Sequence, residues 1–252
     1  MKILLSGFCL LSFLSLSAQD SLTILFAGDA MMHRKQLDNT RRGDFFDLGS
    51  YFANIEREVK AVDIAVVNFE VPLGGEPYSG YPAFSAPEDF ALALQKAGFD
   101  FFLLANNHCL DRRTRGFVRT IQALDSLGIR HTGTFLDCDH GQRTFPMFLR
   151  KKDFRMIMLN IAEAKLFNPD FIIANMHWGL EYERIPSREQ RELADWLLRQ
   201  GVDLVIGSHP HVVQPMELRR GKEGVTDRLV VYSLGNFISN MSREHTDGGV
   251  MV

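Results

Sequence analysis

The sequence predicts an α/β domain with a central sheet covered on both faces, and three observations predict it. Helical and strand-like segments alternate along the 252 residues. The strand-like segments are continuous apolar runs, as expected where both faces of a sheet are buried. Polar residues of metal-binding type gather just past the C-terminal ends of those runs, where the sites of open α/β sheets assemble. With 46% apolar residues the chain can bury one sizeable core. No repeat, low-complexity tract or linker divides it.

The chain opens with MKILLSGFCLLSFLSLSAQD. Lys2, an apolar run over 3–16 and small residues after it predict a secretory signal peptide over 1–18. Cleavage is expected near Ala18 or after Ser17, giving an exported protein that is periplasmic or associated with the cell surface. An uncleaved anchor is the alternative, but the run is shorter than the roughly 20 residues of a spanning helix. Cleavage removes Cys9 and leaves Cys109 and Cys138. Outside the cytoplasm these two could pair, or remain separate buried residues.

The domain then occupies 19–252. SLTILFAGD is a strand ending at Gly28 and Asp29, and residues 44–60 carry apolar residues at helical spacing. VDIAVVNFE is a strand ending in Asn68 and Glu70. The Gly- and Pro-rich stretch 71–87 is too long for a plain connection, so it is either functional or packed as an ordered loop. EDFALALQKAG is a helix closed by Gly98, FDFFLLANNH a strand, and TRGFVRTIQALDSLG a helix closed by Gly128. FRMIMLNI and DFIIANMHWG are further strands. SREQRELADWLLRQG is a helix with Ser187 and Gln190 at capping-box spacing and Gly201 at its end. VDLVIGSHPH and DRLVVYSLGNF close the series as strands.

The strand ends carry Asp29 and His33, Asn68 and Glu70, Asn107 and His108, His177, then His209 and His211. Each residue alone has a structural explanation as a cap, a turn residue or a core histidine. Their recurrence at one end of successive strands points to a site. In GSHPHV, Pro210 biases His209 towards extended backbone, and residues i and i+2 of an extended segment point the same way. Both imidazoles would then face one cavity at different heights, which suits two metal ions. Carboxylates, an amide and imidazoles without thiolate favour zinc, manganese or iron over calcium. A net charge of −3 with no basic stripe lacks the footprint of a nucleic-acid binder.

GDAMMHR, NFEVPL, ANNHCLD, HWGLEY, GSHPHVVQPMEL and YSLGNF follow one another in this sequence. In that order they resemble the bacterial capsule synthesis proteins of the CapA, or poly-γ-glutamate capsule, family. That family looks like a branch of the calcineurin-like metallophosphoesterases. The resemblance covers nearly all of 22–252 and implies a four-layer α/β/β/α sandwich with a two-metal site between its sheets. It implies Asp29 as a ligand of the first metal, with His33 as a companion and Glu70 as a bridging carboxylate. Asn107, His177 and His209 would serve the second metal and His211 the first, with His108 as proton donor to a leaving group. Asn68, Glu181 and Asn236 would contact ligands or substrate, while Ser208 has no assigned role. The scissile bond could be a phosphoester or an amide such as a γ-glutamyl linkage.

Three features depart from the pattern. The superfamily places its first-motif histidine two residues after the aspartate, and here His33 follows Asp29 by four. Asn160 runs almost directly into IAEAKLFNPDF, where relatives carry a longer connection, and GGVMV reads as the start of a strand where relatives continue. Three functions remain open: a metal-dependent hydrolase or transferase of an envelope polymer, a non-catalytic metal-binding component of capsule assembly, and a general phosphoesterase. The first implies an anionic or polyamide polymer as substrate and loose membrane association through capsule machinery.

Overall fold

A computed structural model describes residues 21–137, 161–162, 164–220 and 227–252. The expected signal peptide, most of the expected strand FRMIMLNI, the connection at Asn160 and Cys138 with its pairing lie outside the described residues.

The elements run β1 (Ile24–Ala30), α1 (Arg34–Thr40), β2 (Arg41–Arg42), β3 (Phe45–Phe46), α2 (Gly49–Phe52), α3 (Glu56–Val59), β4 (Ile64–Phe69) and α4 (Glu88–Ala97). They continue with β5 (Phe101–Leu103), α5 (Arg113–Ser126), β6 (Arg130–Thr132), β7 (Ile173–His177), α6 (Arg188–Arg199), β8 (Leu204–Ser208), β9 (Met216–Arg219), β10 (Arg228–Val231) and β11 (Asn236–Ile238). One sheet has the order β11-β1-β4-β5-β6 and is parallel throughout. A second has the order β7-β8-β10-β9, parallel except for β9 at its edge. The fold is therefore mixed α/β with parallel sheets, and among the described residues it holds two larger sheets and a separate β2–β3 pair rather than one central sheet.

Apolar residues on the two faces of each strand explain the layering. Phe26 and Val66 of the first sheet meet Ile206 and Val231 of the second, so the sheets pack face to face. Ala27, Val67 and Phe102 point the other way, into a cluster with Phe90, Ala91 and Leu94 of α4. Ala174, Val205 and Val230 likewise pack against Ala194 and Leu197 of α6. Burying a side chain such as Phe90 contributes about 1.5–3 kcal/mol, and its position on α4 is held by the helix stop at Gly98, whose φ is 112°. The α6 helix starts as its sequence requires: the Ser187 hydroxyl accepts from the Gln190 N–H, and the Gln190 side chain accepts from the Ser187 N–H.

Several elements differ from expectation. Residues 44–60 form β3, α2 and α3 rather than one helix, each of the two helical turns being only four residues long. DRLVVYSLGNF is not one strand: β10 belongs to the second sheet and β11 to the first. The crossing occurs at Tyr232–Gly235, where Gly235 takes a φ of 72° and its carbonyl accepts the Asp29 N–H at 3.0 Å. A Cβ on Gly28 would lie 2.0 Å from that carbonyl, so β1 needs glycine there. The strands β6 and β9 go beyond the sequence expectation; both are short and lack the long apolar runs of the other strands. The stretch 71–87 is an ordered loop around a fully buried Phe84. GGVMV, expected to start a strand, forms none: Gly249 makes an isolated bridge with Gly235, and Val252 exchanges two backbone hydrogen bonds with Phe26. Among the described residues no helix is long and apolar enough to cross a membrane.

Candidate metal centre

The first sheet contributes oxygen donors. Asp29 lies near the end of β1 and Glu70 follows the last residue of β4, and both are fully buried. Asn68 joins them: its Nδ2 donates to Asp29 Oδ1 at 2.7 Å and to Glu70 Oε2 at 3.3 Å. Glu70 Oε1 is left buried without a hydrogen-bond partner. The second sheet contributes imidazoles. His177 ends β7, while His209 and His211 follow β8.

His209 and His211 come together in one donor set, but not for the reason the extended-segment argument gives. His209 has φ 98° and His211 φ 58°, so both adopt left-handed backbone. The chain turns sharply past Ser208, and the tertiary environment overrides the preference of a residue preceding proline. The two rings still lie 5.9 Å apart, and His209 is 4.6 Å from His177.

Three sets of side chains could each hold a metal ion: Asp29, Glu70 and His211; Glu70, His177 and His209; and Glu181, His209 and His211. The first two share Glu70. Asn107 approaches the second, because His177 Nε2 donates to its Oδ1 at 2.9 Å. Glu181, expected to contact ligands or substrate, is itself within donor range. Asn236 accepts from His211 Nδ1 at 3.1 Å, which turns His211 Nε2 towards Glu70. His33 enters none of the three sets. Its ring packs edge-on against Phe84 at the start of α1, and its Nε2 is buried and unpartnered.

Charge in this cluster is unbalanced. Burial and the nearby Asp29 carboxylate raise the Glu70 pKa well above its usual value. Burial would raise Asp29 too, but the hydrogen bond and charge of His211 hold it below the ordinary range. Burial lowers His177 to about 3 and His33 to about 4, and lowers His209 as well. Burial opposes His211, yet Asp29 raises it above its usual value. Two fully buried carboxylates thus face one favourably charged imidazole, and bound cations would supply the missing positive charge. The partnerless Glu70 Oε1 and His209 Nδ1 and the mixed N/O donor set fit divalent ions.

His108 stands beside the donors, packed edge-on to Phe84 at 4.8 Å. Its Nδ1 lies 2.8 Å from Asp111 Oδ2, and the same oxygen accepts the Phe84 N–H at 2.8 Å. Asn106 steadies this turn by accepting the His108 N–H and donating to the Phe69 carbonyl. Sequence reasoning left Asp111 and Asn106 without roles, although Asp111 sits at the end of the ANNHCLD segment. It also left Ser208 without one; the Ser208 hydroxyl reaches His177 Nδ1 at 3.3 Å and fixes that ring. A cavity of about 760 Å³ reaches Asn107, His177 and His209 and is walled further out by Leu110, Phe117 and Leu180.

The family model described as bacterial capsule synthesis protein PGA_cap matches residues 23–163 and 148–241. A capsule biosynthesis protein CapA from Bacillus anthracis is 28% identical over 92% of this chain and 63% of its own length. The PGA biosynthesis protein CapA of Bacillus subtilis (strain 168) is 26% identical over 93% of this chain and 68% of its own length. This chain therefore spans less than two thirds of the B. anthracis relative. A crystal structure of a hypothetical protein from Thermus thermophilus aligns with a TM-score of 0.47 and 19% identity, over 84% of this chain and 75% of that one.

Proposed function

The chain belongs to the bacterial capsule synthesis protein family PGA_cap, and on that premise we propose that it is an exported, metal-dependent hydrolase or transferase of poly-γ-glutamate or another capsule or envelope polymer. The single observation that carries this reading is the sharing of buried Glu70 between two donor sets, beside a histidine braced by a carboxylate. The order helix, sheet, sheet, helix supports a metallophosphoesterase-like sandwich. The two relatives named for capsule and PGA biosynthesis support the substrate class and association with capsule machinery.

Asp29, Glu70 and His211 would hold one ion, and Glu70, His177, His209 and Asn107 the other. Two divalent ions there would activate water and stabilise oxyanions of the transition state. Asn68 keeps both carboxylates aimed at the centre, and Asn236 and Ser208 orient His211 and His177. With the His108 ring doubly protonated, Nδ1–H donates to Asp111 while the Nε2 proton is free to pass to a departing amine or alkoxide, leaving the ring neutral with its remaining proton on Nδ1. Asp111 holds that ring in one orientation.

Metal analysis of the purified mature chain, together with a hydrolysis panel containing manganese or zinc, tests the proposal. About two ions per chain are expected. His108→Ala is expected to keep the metal and lose about 10²–10⁴-fold in turnover. Fewer than about one ion per chain counts against a binuclear centre. Equal turnover by wild type and His108→Ala removes the acid role. Cleavage of γ-glutamyl polymer without aryl phosphates supports the polymer, the reverse supports a general phosphoesterase, and polymer binding without turnover supports an assembly component.

A further inference from the structure

Beyond the donor residues lies a cation placed with unusual definition. Arg243 is exposed, yet its guanidinium carbon sits 4.0 Å from the centre of the Tyr182 ring. That ring in turn lies 6.2 Å from the His211 ring. No ion pair to Arg243 forms among the described residues. A guanidinium stacked on an aromatic face keeps its in-plane N–H groups free for a planar or tetrahedral oxyanion.

Both partners of the stack are tied to the centre. The Tyr182 N–H donates to the Pro210 carbonyl at 2.8 Å, between His209 and His211. Tyr182 itself takes left-handed backbone, with φ 69°. On the other side, Thr246 donates to the Arg243 carbonyl through both its N–H, at 3.1 Å, and its hydroxyl, at 2.6 Å. The Thr246 carbonyl accepts from Asn236 Nδ2 at 2.9 Å, and Asn236 Oδ1 is the acceptor for His211 Nδ1. One amide therefore couples the orientation of His211 to the turn that presents Arg243. An anionic substrate approaching this cluster meets Asp29, Glu70 and Glu181, so a fixed cation at the rim offsets repulsion from one side.

We propose that Arg243, stacked on Tyr182, is a specificity-determining residue that binds an anionic oxygen group of the substrate, carboxylate or phosphate, at the rim of the centre. This inference rests on the site assignment proposed above and adds the substrate's charge. No metal ligand is changed by testing it. Calorimetric titration of the manganese-loaded full chain with inorganic phosphate and with glutarate provides the first measurement. Arg243→Ala is expected to weaken binding of the preferred anion about tenfold, with metal content unchanged. Arg243→Lys should recover only part of the loss, because the fork is gone, and Tyr182→Leu should fall between it and wild type. Tighter glutarate identifies a carboxylate, and tighter phosphate a phosphoester.

A second measurement requires no metal. Inorganic phosphate should slow modification of Arg243 by phenylglyoxal in the metal-free chain, followed by mass spectrometry. If the wild type takes up no metal, the metal-dependent function falls while this protection still decides the role of Arg243. Unchanged anion affinity in Arg243→Ala, absence of protection, or weaker binding that tracks lost metal would each overturn the inference.

Discussion

The two sheets bring opposite halves of one site. From the first come Asp29, Asn68 and Glu70, on or beside strand ends, fully or almost fully buried and linked by one amide. From the second come His177, His209 and His211, two of them on left-handed backbone past a strand end. The oxygen half is tied together by Asn68 and overcharged, whereas the nitrogen half is mostly neutral and held by turns. Burial favours loss of charge in both, but only the carboxylates are trapped together without enough cation. Stability of the metal-free fold and affinity for metal therefore oppose each other chiefly in the first sheet.

Glu70→Gln should break that opposition most strongly. The substitution removes the residue common to two donor sets, so metal content should fall below about one ion per chain. The sign for stability is the reverse. A carboxyl whose folded pKa is raised contributes stability below its unfolded value and loses it as pH rises through the folded value. At neutral pH the metal-free wild type therefore carries that cost, and the metal-free variant should resist urea better. The difference should vanish as pH falls below about 4.5, the ordinary value for the group. A metal-free variant less stable than wild type at neutral pH would contradict the overcharged first half.

The nitrogen half sharpens the comparison. His211 Nδ1 lies 3.2 Å from Asp29 Oδ2 in a fully buried pair, whereas burial keeps His209 neutral. Removing one member of a buried pair costs about 3–5 kcal/mol, so His211→Ala should lower metal-free stability by that amount. His209→Ala should cost about 1 kcal/mol. Both should lose metal. Urea unfolding beside metal analysis separates the two effects, and equal destabilisation would show that His211 is not the charged member.

The two halves were not equally legible in the sequence. Asp29, Asn68 and Glu70 interrupt apolar runs at strand ends, and that position alone places them correctly even though β1 shifts register around Asp29. The residue types in GSHPHV were informative, but local preference gave the wrong backbone at His209, since its left-handed φ is imposed by packing. DRLVVYSLGNF concealed a change of sheet because both of its halves are buried; Gly235 was the one local sign of a bend. Asp111 was overlooked because a carboxylate three residues after His108 also suits a helix start. Ser208 gained its role only when β7 and β8 lay side by side, a pairing between residues 31 positions apart.

His33 is the subtlest test, because it lies near both halves and in neither donor set. His33→Phe should retain the wild-type metal content, and loss of an ion would restore His33 as a ligand. Burial first, then the charges of His211 and His108, lower its pKa to about 4. A histidine depressed in the folded state contributes stability above its unfolded value and loses it as pH falls through the folded value. For His33 that window runs from about 6.5 down to about 4. His177 and His209 decline in the same direction, while Glu70 and His211 oppose them, so the total curve of the metal-free chain does not isolate one residue. The difference between His33→Phe and wild type does. Phenylalanine keeps an aromatic ring against Phe84 and removes the titration, so the variant should gain on wild type steadily as pH drops from 6.5 to 4. Melting curves of both metal-free proteins across that range would reveal it. A constant difference would mean that the His33 ring meets water in the folded chain and belongs to neither half.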